Sequence, residues 1–356
     1  MKALIAMSGG VDSSVAACLM KERGYSCIGI TMKLLDSEFD GNAGEHRCCS
    51  LDDVEDARSV ARRLKIPYYV FNFSDSFRKF VLERFVCAYE NGMTPNPCID
   101  CNRYLKFGKL FQRAKVLGCD TIVTGHYARI AYDAKSGRYL LKKALDPDKD
   151  QSYFLYMMTQ EQLRHTQFPL GHLTKSEVRG IAAKHGFVNA QKHDSQDICF
   201  VTHGKYSDFI KQYTAKDYPE GLFVDRNGKT LGTHKGLLHY TVGQRRGLNL
   251  SSDIPLYVCI IDQQNNRIIL GPESQLYSDT LIANDLNLIS VPSFNTPTRL
   301  KAKIRYRHQE QWATVTQTGE DTLKIVFDTP QRAITKGQAV VLYDGDLVVG
   351  GGIIQE

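Results

Sequence analysis

No segment of this 356-residue chain approaches the ~20 consecutive apolar residues that a membrane-spanning helix requires. Internal repeats and low-complexity tracts are also missing, which excludes a solenoid or a largely disordered chain. No leader peptide is recognisable ahead of the first strand-like run, so a cytoplasmic location with no membrane partner is the expectation. Neither sign of charge dominates: 45 Lys+Arg face 39 Asp+Glu, a net charge of +6. That mild excess permits a nucleic-acid partner without requiring one. Ten cysteines are present but without a regular framework of spacings. A chain of this length needs no disulfide staples, so some of them are expected to do chemistry and the rest to pack. Also absent is the G-x-x-x-x-G-K-[ST] phosphate loop with its lysine.

What is present starts almost at once. Ala3-Leu4-Ile5-Ala6-Met7 reads as a buried strand and Val15 to Met20 as a helix. Between them lies Ser8-Gly9-Gly10-Val11-Asp12-Ser13-Ser14. A strand, a glycine turn and a helix N-terminus converge backbone N–H groups on one point, where the helix dipole favours an anion. The glycines admit a phosphate closely, and Ser8, Ser13 and Ser14 add hydroxyls. A ligand-free glycine turn is the bland alternative, and the full string outweighs it.

The first ~200 residues alternate strand and helix signals, as in a doubly wound, mainly parallel α/β sheet. Further strands are expected at Ser26–Met32, Pro67–Phe71 and Thr121–Thr124. Helices are expected from Ser50 (with Asp53 as a capping-box partner) to Leu64, around Phe77–Phe85, over Leu105–Leu117 and from Thr174 to about Lys184. Ligands of such sheets lie beyond the strands' carboxyl ends, so the Ser8–Ser14 loop, Met32 and Gly125 are expected to line one pocket. After residue 204 helical periodicity fades and short β-like runs alternate with turns such as Asn227-Gly228. The expected division is a catalytic domain at 1–204, a small β-rich domain at 205–275 and a terminal β-barrel at 276–356.

Two cysteine contexts stand apart. Asn96-Pro97-Cys98-Ile99-Asp100-Cys101-Asn102 and Ser195-Gln196-Asp197-Ile198-Cys199-Phe200 are polar and turn-like, and both are expected outside regular structure. A thiol there, close to cationic groups, can ionise and react. Cys18, Cys27, Cys87, Cys119 and Cys259 lie in or beside apolar runs and are expected to be small buried hydrophobes. In the last third, Arg299, Lys301, Lys303, Arg305 and Arg307 alternate with Leu300, Ala302, Ile304 and Tyr306. On one strand the five cations would share a face, about 6.6 Å apart, suited to a phosphate backbone. An ordinary solvated strand face fits the same pattern. Arg245-Arg246 is a second, smaller basic point.

The glycine loop resembles the PP-loop of the N-type ATP pyrophosphatases. Together with the two cysteine strings, Gly125-His126-Tyr127-Ala128, Asp148 to Leu155, Gly221 to Gly228, Thr241 to Gly247 and Arg305-Tyr306-Arg307, nearly the whole chain resembles the tRNA-specific 2-thiouridylase family. That resemblance implies an adenine nucleotide hydrolase-like sheet. It also implies an enzyme that uses ATP and Mg²⁺ to adenylate the C2 oxygen of the wobble uridine of tRNA, releasing pyrophosphate. Sulfur from a cysteine persulfide then replaces AMP, a cysteine desulfurase or relay protein being the donor. It assigns Cys199 as persulfide carrier and Cys101 as its partner, the two ending as a disulfide. It further assigns Ala6, Met7, Ser8, Gly9, Gly10, Val11, Asp12, Ser13, Met32 and Gly125 to ATP, and Asn96, Pro97 and Cys98 to the target base. His126, Lys149, Asp150, Gln151, Arg305, Tyr306 and Gln338 are assigned to tRNA.

One departure matters: Cys98 stands where many members carry Asp. Plain thiols are the favoured reading. Cys98, Cys101 and Cys199 as iron–sulfur ligands, or a zinc site drawing on His46, Cys48 and Cys49, remain as alternatives. At the level of function, another adenylating PP-loop synthetase or ligase, or a nucleotide-regulated RNA-binding protein without catalysis, also remain.

Overall fold

The computed structural model describes residues 1–35, 51–192, 198–201 and 205–355. Its first sheet is wholly parallel, ordered β3-β2-β1-β4-β7. The strands are β1 (Lys2–Ala6), β2 (Ser26–Lys33), β3 (Tyr68–Asn72), β4 (Thr121–Val123) and β7 (Thr166–Gln167). β1 and β2 are buried over nearly their whole length, as a sheet covered on both faces demands. On one side α1 (Val11–Glu22) and the later helix α6 (Lys175–Lys184) pack through Val15, Ala16, Val178 and Ala182. On the other side α3 and α4 bury Phe77, Phe85, Leu105 and Leu110. α3 is built of Ser74–Phe77, π-helical Arg78–Leu82 and Glu83–Glu90; α4 of Pro97–Asp100, π-helical Cys101–Lys109 and Leu110–Val116. α2 is Leu51–Arg63 and α5 is Gln160–Arg164. The proposed cap at Ser50 lies outside the described residues. The Thr174/Glu177 capping box forms as expected.

A hairpin, β5 (Ala128–Asp133) and β6 (Arg138–Lys143), leaves the parallel sheet and joins a different one. The middle of the chain forms a four-stranded sheet, β10-β11-β8-β9. It comprises β8 (Gly221–Val224), β9 (Thr230–His234), β10 (Tyr257–Asp262) and β11 (Arg267–Gly271), around Phe223, Val258 and Ile268. The last part is β12 (Tyr277–Leu288), β13 (Thr298–Lys303), β14 (Gln311–Gly319), β15 (Thr322–Arg332), β16 (Ala339–Asp344) and β17 (Leu347–Ile354). They run β12-β15-β14-β13-β16-β17, and β12 pairs back onto β17, which closes a six-stranded barrel. β6 pairs with β17 outside that ring, through Leu141–Val348 and Lys142–Leu347. The fold is therefore the expected parallel α/β sheet followed by β units, the last a barrel.

Three expectations need correction. Helical structure does not end at 204: α7 (Tyr206–Thr214) follows, with Ile210 buried and Phe209 packed on Phe200. Cys87 is exposed rather than buried, because it sits on the outer side of α3. The cationic strand stops at Lys303. Leu300, Ala302 and Ile304 are buried as the alternation requires, but Arg305 and Arg307 lie in the turn beyond it.

Candidate active site

The sheet order reverses between β1 and β4, and a crevice opens beyond the carboxyl ends of strands at such a point. The Ser8–Ser14 loop leaves β1 there and Gly125 leaves β4 there. Gly9 has φ +78°, and a Cβ on it would lie 2.4 Å from the Asp53 carbonyl oxygen, so only glycine fits. A Cβ on Gly125 would stand 2.8 Å from the Ser13 nitrogen, which shows how closely β4's end abuts α1's first turn. No side chain caps α1 at Gly10. The Ser13 hydroxyl instead bonds the Gly10 carbonyl (3.0 Å) and accepts from the Ser8 N–H (3.1 Å), folding the loop into a cradle. Ala6 ends β1, while Met7 and Met32 are buried and Thr31 donates to the Met7 carbonyl (2.6 Å). The structure thus gathers the loop, Met32's strand end and Gly125 around one crevice.

Asp12 points from α1's first turn into a small network. Lys175 Nζ contacts both its oxygens (2.7 and 2.8 Å), and the Tyr127 hydroxyl donates to one (2.8 Å). Lys175 starts α6, so a chain whose loop lacks its own lysine receives one from 163 positions away. Asn189 is buried beneath the loop and donates to the Gly9 carbonyl (2.8 Å) and the Ser14 hydroxyl (2.9 Å). Lys192 bridges Asp53 and Asp56 of α2 (2.8 and 2.6 Å). Sequence reasoning missed Lys175, Asn189 and Lys192. Lys175 was visible only as part of a capping box, and the other two had no local signal.

Asn96 caps α4 by accepting from the Cys98 N–H (3.2 Å), with Pro97 at the first helical position. Cys98 and Cys101 therefore lie on a helix, not in a loop. Cys101 opens its π-helical stretch, a distortion common at functional sites. Cys199 does lie in a turn, where Val201 N–H bonds the Ile198 carbonyl (2.9 Å). Ser195, Gln196 and Asp197 lie outside the described residues, as do His46, Cys48 and Cys49. Cys98 is exposed and Cys101 and Cys199 are partly buried; the latter two border the same apolar cluster as Phe77, Phe85 and Phe200. Asp100, between the two helix cysteines, has its carboxyl pushed up to about 6 by burial, against the pull of Arg84 (3.4 Å). Among the described residues the one group of three metal-ligating side chains is Cys18, Glu22 and His185, on the outer helices and away from these cysteines.

The residues assigned to tRNA scatter in environment. His126 is buried between Phe107 and Phe168; burial first, and Lys106 next, hold its imidazole well below the usual range, so it is neutral. Lys106 then donates to Nε2 (3.4 Å) and Nδ1–H to the Thr124 hydroxyl (2.7 Å). Asp150 is buried as a loop brace, accepting from Ala144 N–H (2.9 Å) and the Ser152 hydroxyl (2.8 Å). Gln151 exchanges two bonds with the backbone of Tyr127 (2.9 and 3.0 Å), and Lys149 sits half-exposed beside it. Arg305 donates to the Ala333 carbonyl and the Thr335 hydroxyl. Tyr306 packs on Phe154 (4.3 Å). Gln338 reaches the Thr94 carbonyl (2.7 Å), which joins the barrel to the segment just before Asn96.

Three family models cover the chain: a tRNA methyl transferase HUP domain over 1–203, a tRNA methyl transferase PRC-barrel domain over 207–272 and an aminomethyltransferase β-barrel domain over 278–354. A tRNA-specific 2-thiouridylase from Clostridioides difficile is 51% identical over 355 residues, covering 100% of this chain and 98% of that relative. The chain belongs to the tRNA-specific 2-thiouridylase family. It is accordingly an enzyme. A 2-thiouridylase from Acetivibrio thermocellus is likewise 51% identical, across 99% of both proteins. Among solved structures, a 4-thiouridine synthetase–RNA complex with bound ATP aligns at 16% identity and a TM-score of 0.36, covering 59% of this chain and 50% of that one.

Proposed function

We propose that this chain converts uridine 34 of tRNA to 2-thiouridine, consuming ATP and a persulfide sulfur. The observation that supports this most is the loop cradle at the sheet's switch point, with both cysteine segments bordering one apolar cluster beside it. The C2 carbonyl of uracil is urea-like and its oxygen leaves badly. The backbone N–H groups of Gly9 to Ser13 hold the β,γ-phosphates, and Ala6, Met7, Met32 and Gly125 close around the nucleotide. Lys175 adds positive charge where pyrophosphate departs. The C2 oxygen attacks the α-phosphorus, pyrophosphate leaves, and C2 now bears AMP as leaving group. Asp12 and the serine hydroxyls are the hard oxygen donors that suit Mg²⁺, which neutralises phosphate charge when bound.

Asn96, Pro97 and Cys98 border the base. The terminal sulfur of the Cys199 persulfide attacks C2 and AMP departs. The Cys101 thiolate then attacks the Cys199 sulfur, freeing the 2-thio group and leaving a Cys101–Cys199 disulfide for a reductant to reopen. That exchange needs the two Cα atoms within about 7 Å. His126, Lys149, Asp150, Gln151, Arg305, Tyr306 and Gln338 contact tRNA or fix the segments that do. The cysteines act as thiols; loss of activity in Cys98→Ser together with loss of visible iron–sulfur absorption would replace that reading with a cluster.

The test is mass spectrometry of tRNA nucleosides after incubation with ATP, a persulfide donor and the purified protein. Expected products are 2-thiouridine, AMP and pyrophosphate. Cys199→Ser abolishes 2-thiouridine but keeps ATP binding, and Cys101→Ser leaves a loaded, unproductive enzyme. ADP and phosphate as products, or full 2-thiouridine from Cys199→Ser, overturn the mechanism.

A further inference from the structure

We propose that the cleft between the start of α7 and the loop after β9, lined by Lys205, Lys235, His239, Gln244 and Arg246, binds backbone phosphates of the tRNA substrate. The cleft is about 380 Å³. Lys205, Lys235 and Arg246 are exposed, and Lys211 and Arg245 stand nearby on the same unit. Among the described residues none of these five cations makes an ion pair with an acidic side chain. The acidic group at the rim, Asp208, instead accepts from the Lys205 backbone N–H (3.1 Å). Burial first and the approach of Lys211 next hold the His239 imidazole below its usual range, against the pull of Asp208. Clustered cations without internal partners are what a polyanion requires, since each phosphate neutralised releases counterions.

Two of the barrel cations expected from sequence to do this are engaged within the protein. Arg299 is held in a two-pronged pair by Asp328 (2.6 Å each). Arg305 serves the Ala333–Thr335 turn.

Location supports the assignment. Lys205 follows Cys199 by six positions, at most about 21 Å of extended chain. Phe209 of α7 packs on Phe200, the neighbour of Cys199, with ring centres 5.0 Å apart. Tyr206 stacks on Tyr89 of α3 (4.4 Å) and its hydroxyl bonds Thr241 (3.1 Å). The cleft is thereby fixed to the unit that bears the thiols, within reach of an RNA strand whose base meets Cys199.

This rests on the tRNA-thiolation reading, and the test separates the two. Filter binding of full-length protein to substrate tRNA is titrated from 50 to 200 mM salt, for wild type, for the triple variant Lys205→Gln/Lys235→Gln/Arg246→Gln and for Arg299→Gln. Circular dichroism and ATP affinity report on folding. The triple variant is expected to make the slope of log K against log salt shallower by about 2, from roughly 0.7–0.9 per lost phosphate contact. Its affinity at 0.1 M salt should fall at least tenfold, with ATP affinity unchanged and Arg299→Gln close to wild type. A wild-type slope and affinity in a folded triple variant overturn the cleft assignment while leaving thiolation standing. A wild type that binds no tRNA overturns both.

Discussion

The nucleotide crevice and the cationic cleft of the middle unit use charge in opposite ways. In the crevice each charged group described is answered within the protein: Asp12 by Lys175 and Tyr127, Lys192 by Asp53 and Asp56. In the cleft the cations of the described residues find no carboxylate. A small ligand reacts only when held rigidly, so its site is pre-ordered by internal partners. A large polyanion contributes its own charge, and a surface awaiting it gains by leaving cations open.

The largest expected effect separates the two outright. Gly9→Ala places a methyl group against the Asp53 backbone at a positive φ, so the loop must move. ATP affinity should drop about a hundredfold, roughly 2.8 kcal/mol, by isothermal titration calorimetry, while the salt slope for tRNA stays that of wild type. A shared loss would show that the two regions are not independent.

Lys175→Met sharpens the contrast from within the crevice. It removes the ammonium that holds both Asp12 oxygens. Turnover of ATP should fall about tenfold to a hundredfold, as for loss of one charge-stabilising group. Lys175→Arg should recover part of this, and tRNA affinity should not change. An unaltered pyrophosphate-release rate in Lys175→Met would remove Lys175 from the site.

The third effect is on stability and touches neither region's ligand. The Asp100 carboxyl is raised from 3.8 to about 6, chiefly by burial. A raised pKa means that the folded state holds the proton more tightly than the unfolded one. The protonated group's stability is thus complete below about pH 4 and is lost as pH rises through 6. Asp100→Asn, neutral throughout, should be more stable than wild type at pH 7.5 by about 1–3 kcal/mol. At pH 4 the difference should close. Parallel urea titrations at the two pH values check it; an equal difference at both would mean that the Asp100 carboxyl is not shifted, and a variant relatively less stable at pH 7.5 than at pH 4 would mean that the Arg84 contact, not burial, governs the group.

The phosphate loop was legible because its seven residues are contiguous and their turn chemistry is local. Its supports were not. Asn189, Lys175 and Tyr127 meet the loop across 180, 163 and 115 positions, and only the folded sheet brings them there. The helix carrying Cys98 and Cys101 did have a local signal, Asn before Pro, which is a cap followed by a first-turn proline. It was outweighed by the polarity of the segment. The alternation from Arg299 to Arg307 correctly placed Leu300, Ala302 and Ile304 inside. It could not show that the strand ends at Lys303, because the bonds from Arg305 to residues 333 and 335 are long-range.

The hairpin β5–β6 also has a temporal meaning. Its second strand, β6, finds its partner, Leu347–Val348, roughly 200 positions later in the chain. At about 5–20 residues per second of synthesis, that edge emerges some 10–40 s before anything can cover it. The nascent catalytic unit thus carries an open β edge until the last strand of the barrel is made. A chain interrupted before residue 347 leaves the ribosome with that edge bare, ready to pair with another copy of itself.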